Sequence, residues 1–335
     1  MRKRLNSSLL FDQDSLLVKL LLWLPSLNAI WNLPKRRGRP LVYPWHTIFR
    51  GLLFLILKHL RWIPALDRAL RQSSRYQWLC GFNQQLPCQR TWYRRFQQLG
   101  EVVVSIKEHL LTLIFKNNQQ SIRAVVADGS AFSAYGRHVS KKQKKYKPGD
   151  RDATWGKTVT KGWFQGYKLH CLNTIRPYRL PLSWKLDKAS SQEVNYLEGL
   201  LDNAPVSPSY VCGDKSYDSQ DLFESTREQG VFLAAMLRNI REPTPGSRKV
   251  TKDRAFRKKW SQSPFASSIF KERTDIERFF SHLKGIFLLD PLPVRHWSNV
   301  IAYVDLCILG YLTLLSFNLT HQRPALKFQD ILCSF

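Results

Sequence analysis

Acidic residues are scarce in this sequence: 25 Asp plus Glu stand against 52 Lys plus Arg in 335 residues, a formal net charge of +27. So strong a positive field draws in polyanions through counterion release, without specifying any base sequence. Nucleic acid is the expected partner, with a ribosomal or membrane-surface location as the bland alternative. The six cysteines form no C-x-x-C pair and no His tract completes a zinc spacing, so neither a zinc site nor a disulfide framework is expected, and the thiols read as reduced and mostly buried. An uninterrupted apolar leader is missing too. Arg2, Lys3 and Arg4 are followed by an apolar region broken by Asp12, Asp14 and Lys19, which argues against secretion and for a cytoplasmic protein. The long apolar stretch Val300 to Leu319 contains Asp305 and lacks strongly charged flanks, so a buried helix is expected and no membrane partner. No internal repeat is evident.

What is abundant is material for a core. Apolar residues make up 44% of the chain and aromatics 13%, enough to exclude disorder. The length suggests one large domain with a smaller accessory one. From about Asp14 to Phe115 leucine-rich helical segments are separated by Pro25, Pro34, Pro40, Pro44 and Pro64, which predicts an all-helical N-terminal domain over residues 1–120. Two features there suit phosphates: a basic turn with Lys35, Arg36, Arg37 and Arg39, and the predicted helix Arg90 to Gln98, which mixes arginines with aromatics. The second reads equally well as part of a helix-turn-helix or as a solvated basic helix.

At Arg123 the pattern changes. Arg123 to Asp128 is a short β-branched apolar run ending in a carboxylate, followed by Gly129 and Ser130, and predicts a buried strand entering a turn. A lysine-rich loop follows, with Lys141, Lys142, Lys144, Lys145 and Lys147. Tyr167 to Thr174 and Tyr178 to Leu186 read as paired strands around Arg176 and Pro177. Gln192 to Leu201 reads as a helix, Ser209 to Asp214 as a second buried strand ending in a carboxylate, Ser219 to Gln229 as a helix, and Val231 to Leu237 as a strand. Such alternation predicts an α/β sheet covered by helices over residues 121–325, with ligands bound beyond strand ends, where Asp128 and Asp214 would sit. The basic segment Arg238 to Lys259 reads as an insertion or loop over the site, the insertion spanning about residues 238–268, and residues 326–335 read as a tail.

Phe270 to Lys284 has no proline or glycine and predicts a helix. At about 100° per residue, with Arg273 at zero, Lys284 falls at about 20°, Glu277 at about 40° and Phe270 at about 60°. Ile276, Phe279, Phe280 and Leu283 fall between about 240° and 340°, an apolar face adjoining that stripe. The helix can therefore dock by its apolar face and aim Glu277 into a site. Taken singly, each aspartate is as well explained by a turn or a helix cap. Asp218, just before Ser219 at a helix start, reads as an N-cap, and Asp187 at a strand end ranks below the others. Two strand-end aspartates followed by a glutamate on such a stripe are harder to obtain by chance.

The stripe resembles the Y-x2-R-x3-E-x6-K signature of insertion-sequence DDE transposases of the insertion-sequence-four-like group, written here Phe270, Arg273, Glu277 and Lys284, with Phe in place of Tyr. Ala127-Asp128-Gly129-Ser130 is similar to the first-aspartate turn of that family, and Gly213-Asp214-Lys215-Ser216-Tyr217-Asp218-Ser219 to its second-aspartate block. Phe164 to His170 resembles the strand between them. The resemblance implies an RNase H-like catalytic domain, with Asp128, Asp214 and Glu277 binding two Mg²⁺ ions, or Mn²⁺ as a substitute. It further implies hydrolysis at the element's terminal inverted repeats, strand transfer into target DNA, and a homodimer on DNA. Arg273 and Lys284 would meet phosphates near the scissile bond, Phe270 would pack or stack, and Lys168, His170 and Lys215 are further candidates for DNA contact, although a lone His such as His170 is more often structural. A DNA-binding remnant without activity, or an RNase H-like nuclease that cuts without joining, are the competing functions.

Overall fold

A computed structural model of the chain describes residues 15–27, 42–82, 85–116, 122–136, 149–159, 161–175, 178–238 and 252–333. The Lys35–Arg39 turn, the Lys141–Lys147 loop, the Arg176–Pro177 turn and Arg248 with Lys249 lie outside them.

The leucine-rich segments form helices α1 (Leu16–Trp23), α2 (Trp45–Leu57), α3 (Ile63–Gln72), α4 (Ser74–Cys80), α5 (Gln89–Gln97) and α6 (Gly100–Lys116). Prolines act here as starters: Pro64 occupies the first turn of α3, where its missing N–H costs nothing. On α5 the basic and aromatic residues divide by face. Trp92, Arg95 and Phe96 are buried, with Arg95 donating to the Tyr43 carbonyl at 2.9 Å and lying over the Trp45 ring, while Arg90, Tyr93 and Arg94 are exposed.

The sheet begins at residue 124. Strand β1 (Ala124–Ser133) lies antiparallel to β3 (Gly162–Thr174), whose other edge is taken in succession by β2 (Thr154–Thr158) and β4 (Pro181–Lys188). On its far side β1 pairs in parallel with β5 (Tyr210–Gly213), and β5 with β6 (Phe232–Ala235), giving one mixed six-stranded sheet. Helix α7 (Leu197–Asp202), preceded by a 3₁₀ turn at Glu193–Tyr196, carries the crossover to β5, and α8 (Gln220–Glu228) the crossover to β6. Then come α9 (Lys252–Ser261), α10 (Pro264–Glu272), α11 (Thr274–Gly285), α12 (Trp297–Thr320) and the short α13 (Gln329–Leu332).

Helix α12 holds the two halves in one core, packing against α2, α5 and α6 on the helical side and against β4 on the sheet side. It is long and apolar enough to cross a bilayer, but 94% of its most apolar stretch is buried inside the fold, as expected for a core helix. Its N-terminus is capped by two carboxylates: Asp150 accepts from the His296 amide at 3.3 Å and Asp152 from the Trp297 amide at 2.7 Å.

Four expectations need correcting. Strand β1 does not end at Asp128 but continues to Ser133, because β3 supplies antiparallel partners along its whole length. Phe270 to Lys284 is not one helix, since α10 ends at Glu272 and α11 starts at Thr274, with Arg273 between them in a helical conformation (φ −55°, ψ −30°). Of the insertion or loop expected over Arg238 to Lys259, the described residues 252–259 are helical, which excludes a loop there. Lastly, Asp218 is not the N-cap of α8, for Ser219 accepts from the Leu222 amide, while the Asp218 carboxylate is buried between Arg254 and Arg257, at 3.4 and 3.2 Å, and ties α9 to the sheet.

Candidate active site

The parallel register of β1 and β5 aligns Ala124 with Tyr210, Val125 with Val211 and Val126 with Cys212, then stops. Asp128 and Asp214 each lie two residues beyond the last aligned pair. Because neighbouring strands run about 4.8 Å apart, the register brings the two carboxylates to one level at the point where the strands part. Asp214 also begins a 3₁₀ turn, accepting from the Ser216 amide at 2.7 Å and from the Ser216 hydroxyl at 2.5 Å.

Helix α11 brings the third acid. Ile276, Phe279, Phe280 and Leu283 are buried, so the apolar face docks as its periodicity predicts, with β1 among its neighbours. Arg273 then joins two of the acids, with Nη1 at 3.8 Å from Asp128 Oδ2 and Nη2 at 3.1 Å from Glu277 Oε1. Glu277 is half exposed, at 54% of its side-chain surface, whereas Asp128 retains 14%.

The electrostatics of Asp128 follow from this crowding. Burial pushes its carboxyl up to about 7, Glu193 and Asp214 push in the same direction, and the Gly129 amide and Arg273 oppose them. Among the described residues, Asp128, Asp214 and Glu277 do not form a ligand group within 4.8 Å of one another; Asp150, Asp152 and His296 do. That second group has a structural task, since Asp150 and Asp152 accept from the α12 amides and Asp150 also from the Tyr167 hydroxyl at 2.8 Å.

The remaining sequence candidates separate. Lys168 reaches the site, but its ammonium pairs with Glu193 at 2.7 Å. Lys215 is exposed beside Asp214. Lys284 lies over the Phe132 ring at 5.2 Å, near Lys161 and Asp290 at the other end of β1; burial first and Lys161 second lower its pKa, while Asp290 raises it. Phe270 leaves the stripe and packs edge-on against Trp260, with ring centroids 5.9 Å apart. His170 is buried, bonded through Nε2 to the Ser191 hydroxyl at 2.8 Å and stacked on Tyr196 at 4.0 Å; burial lowers its pKa to about 3, so it is a neutral structural ring.

Sequence reasoning missed Glu193. Its carboxylate takes the Lys168 ammonium on Oε1 and the Ser216 hydroxyl on Oε2, and that same hydroxyl contacts Asp214. Gly129 makes room for it, since a Cβ there would lie 2.8 Å from Glu193 Oε1 and 2.8 Å from Lys168 Cε. The available signal was indirect: a carboxylate at the start of the segment leaving β4 lies at the edge of the sheet toward which β1 and β5 also run.

A cryo-EM structure of a piggyBac transposase synaptic complex with hairpin DNA has a TM-score of 0.44 and 11% sequence identity, with 99% of this chain and 79% of that one covered. No curated protein matches the sequence. The family described as "Transposase DDE domain" matches residues 119–312, from the approach to β1 into α12 and through Asp128, Asp214 and Glu277. More than half of the sequence lies within that match, and the chain belongs to the transposase DDE domain family.

Proposed function

We propose that the protein cleaves DNA at the terminal inverted repeats of an insertion sequence and joins the freed ends to target DNA, using Asp128, Asp214 and Glu277 as ligands for divalent metal. The observation that carries this reading is the meeting of three elements: β1 and β5 end their pairing at the same level, each two residues before an aspartate, and Arg273 connects Asp128 to Glu277 from α11. The mixed sheet, antiparallel on one side of β1 and parallel on the other, supports an RNase H-like catalytic domain.

The residues present fit a divalent metal. The side-chain acceptors are oxygens, which favour Mg²⁺ with Mn²⁺ as a substitute, and the acids are already interleaved with positive charge from Arg273 and Lys168. Two such ions would supply charge neutralisation and nucleophile activation at a phosphodiester. Asp128 and Asp214 would hold them from the sheet and Glu277 from α11. Arg273 presents a planar fork that can turn from carboxylate to phosphate oxygens. Lys284, seven residues beyond Glu277, lies about 10 Å further along the helix at 1.5 Å per residue, and would meet a phosphate further along the strand. Exposed Lys215 would meet the backbone beside Asp214. A homodimer acting on DNA in the cytoplasm completes the proposal.

Glu277→Gln tests the assignment. Metal-dependent cutting of end DNA should be lost while binding to that DNA persists, and undiminished cutting would sink it. Strand transfer is tested separately with a pre-cut end, which a simple nuclease would leave free.

A further inference from the structure

We propose that Glu193 is a fourth carboxylate of the metal centre, holding Asp214 through the Ser216 hydroxyl and adding its charge to the field that draws the cation; this rests on the metal-binding reading of Asp214. Three observations point to it. The Ser216 hydroxyl contacts both Glu193 Oε2 and Asp214 Oδ1, so the two acids share one polar hydrogen. Glu193 also lies against the backbone next to Asp128, since a Cβ on Gly129 would be 2.8 Å from Glu193 Oε1.

The third observation is independent of the acids. Tyr217 is buried to 1% exposure and its hydroxyl has no hydrogen-bond partner among the described residues. Tyr217 directly follows Ser216, in the 3₁₀ turn that Asp214 opens. A buried phenol left without a partner costs stability. In the turn that Asp214 opens, it offers a donor to the water shell that a hard divalent ion keeps.

Lys168 explains how the acids coexist without metal. Its ammonium, at 2.7 Å from Glu193 Oε1 and 3.4 Å from the Ser191 carbonyl, supplies positive charge that a metal would otherwise bring. Glu193 is therefore a positioning residue whose partners are an acid of the centre on one side and a competing cation on the other. Groups that orient metal ligands commonly change affinity by about 10- to 100-fold when removed.

The experiment measures Mn²⁺ binding to the full chain by electron paramagnetic resonance, with duplex DNA binding in EDTA and thermal melting measured alongside. Glu193→Gln should weaken Mn²⁺ binding by about tenfold or more, Glu193→Asp should weaken it less, and DNA binding in EDTA should stay at the parent level. Lys168→Met should tighten Mn²⁺ binding, because a competing cation is gone, and this variant decides the matter if Glu193→Gln fails to fold. Parent-like Mn²⁺ affinity in a folded Glu193→Gln, or unchanged or weaker affinity in Lys168→Met, would overturn the proposal. Asp214→Asn separates the two levels: if it leaves Mn²⁺ binding intact, the metal-binding reading of Asp214 fails, whereas lost binding there with parent-like Glu193→Gln refutes only the role of Glu193.

Discussion

Replacing Asp128 by Asn should stabilise the metal-free protein while destroying its activity. In the folded chain the Asp128 carboxyl keeps its proton up to about 7, against an ordinary 3.8, because burial and the charges of Glu193 and Asp214 disfavour the anion. Unfolded, the same group ionises in the ordinary range. Between those two values the folded state binds the extra proton, so stability falls as pH rises from about 4 to about 7 and then levels off. The gap between 3.8 and about 7 corresponds to roughly 4 kcal/mol, at about 1.4 kcal/mol for each tenfold change in proton affinity. Asn has nearly the same shape, can still accept from the Gly129 amide, and carries no charge to bury. The assay is thermal unfolding of parent and Asp128→Asn in EDTA at a series of pH values. The variant should gain little at pH 4.5 and several degrees at pH 8, and Mn²⁺ should raise the melting temperature of the parent more than that of the variant. A gain of the same size at both pH values, or none at pH 8, would refute the electrostatic account of the site.

Three further outcomes follow from other parts of the structure. Arg257→Met removes a partner of the buried Asp218, whose side chain is 1% exposed, and should cost about 3–5 kcal/mol in denaturant unfolding; a loss below about 1 kcal/mol would mean Arg254 alone suffices. Gly129→Ala places a methyl 2.8 Å from both Glu193 Oε1 and Lys168 Cε. Because those are side-chain atoms that can shift, melting should change little while metal-dependent cleavage falls by about tenfold or more, and parent-like cleavage would show that the Glu193 position is not critical. Lys215→Ala should weaken DNA binding without regard to sequence and reduce the slope of log affinity against log salt by about one; an unchanged slope would remove Lys215 from the DNA path.

The elements were legible where periodicity and burial agree. The apolar face of α11 and the burial of α12 follow from residue spacing, and the strand-helix alternation from β3 to β6 from short β-branched runs between breakers. Less was legible where the partner decides. Strand β1 runs on past Gly129 because β3 pairs with it, which the turn-like Asp128-Gly129-Ser130 sequence conceals. Asp218 resembles a cap beside Ser219, yet it answers two arginines more than thirty residues away. Asp128 and Asp214 announce themselves as acids after apolar runs, but the register that levels them belongs to the pairing and not to either segment. Glu193 was hidden for the same reason: it is an ordinary acid at a helix start until the crossover places it beside Ser216. Phe270 shares the wheel stripe with Arg273 only if the helix is unbroken, and Trp260 takes it elsewhere.

The most direct test of the central claim is cleavage of end-labelled duplex DNA carrying the sequences that flank the reading frame, by the parent and by Asp128→Asn, Asp214→Asn and Glu277→Gln. The parent should cut at a defined position with Mg²⁺ or Mn²⁺ and not in EDTA, while all three variants should bind the DNA and leave it whole. Cutting by any one of the three at the parent rate, or cutting by the parent in EDTA, would contradict an active site built from these carboxylates.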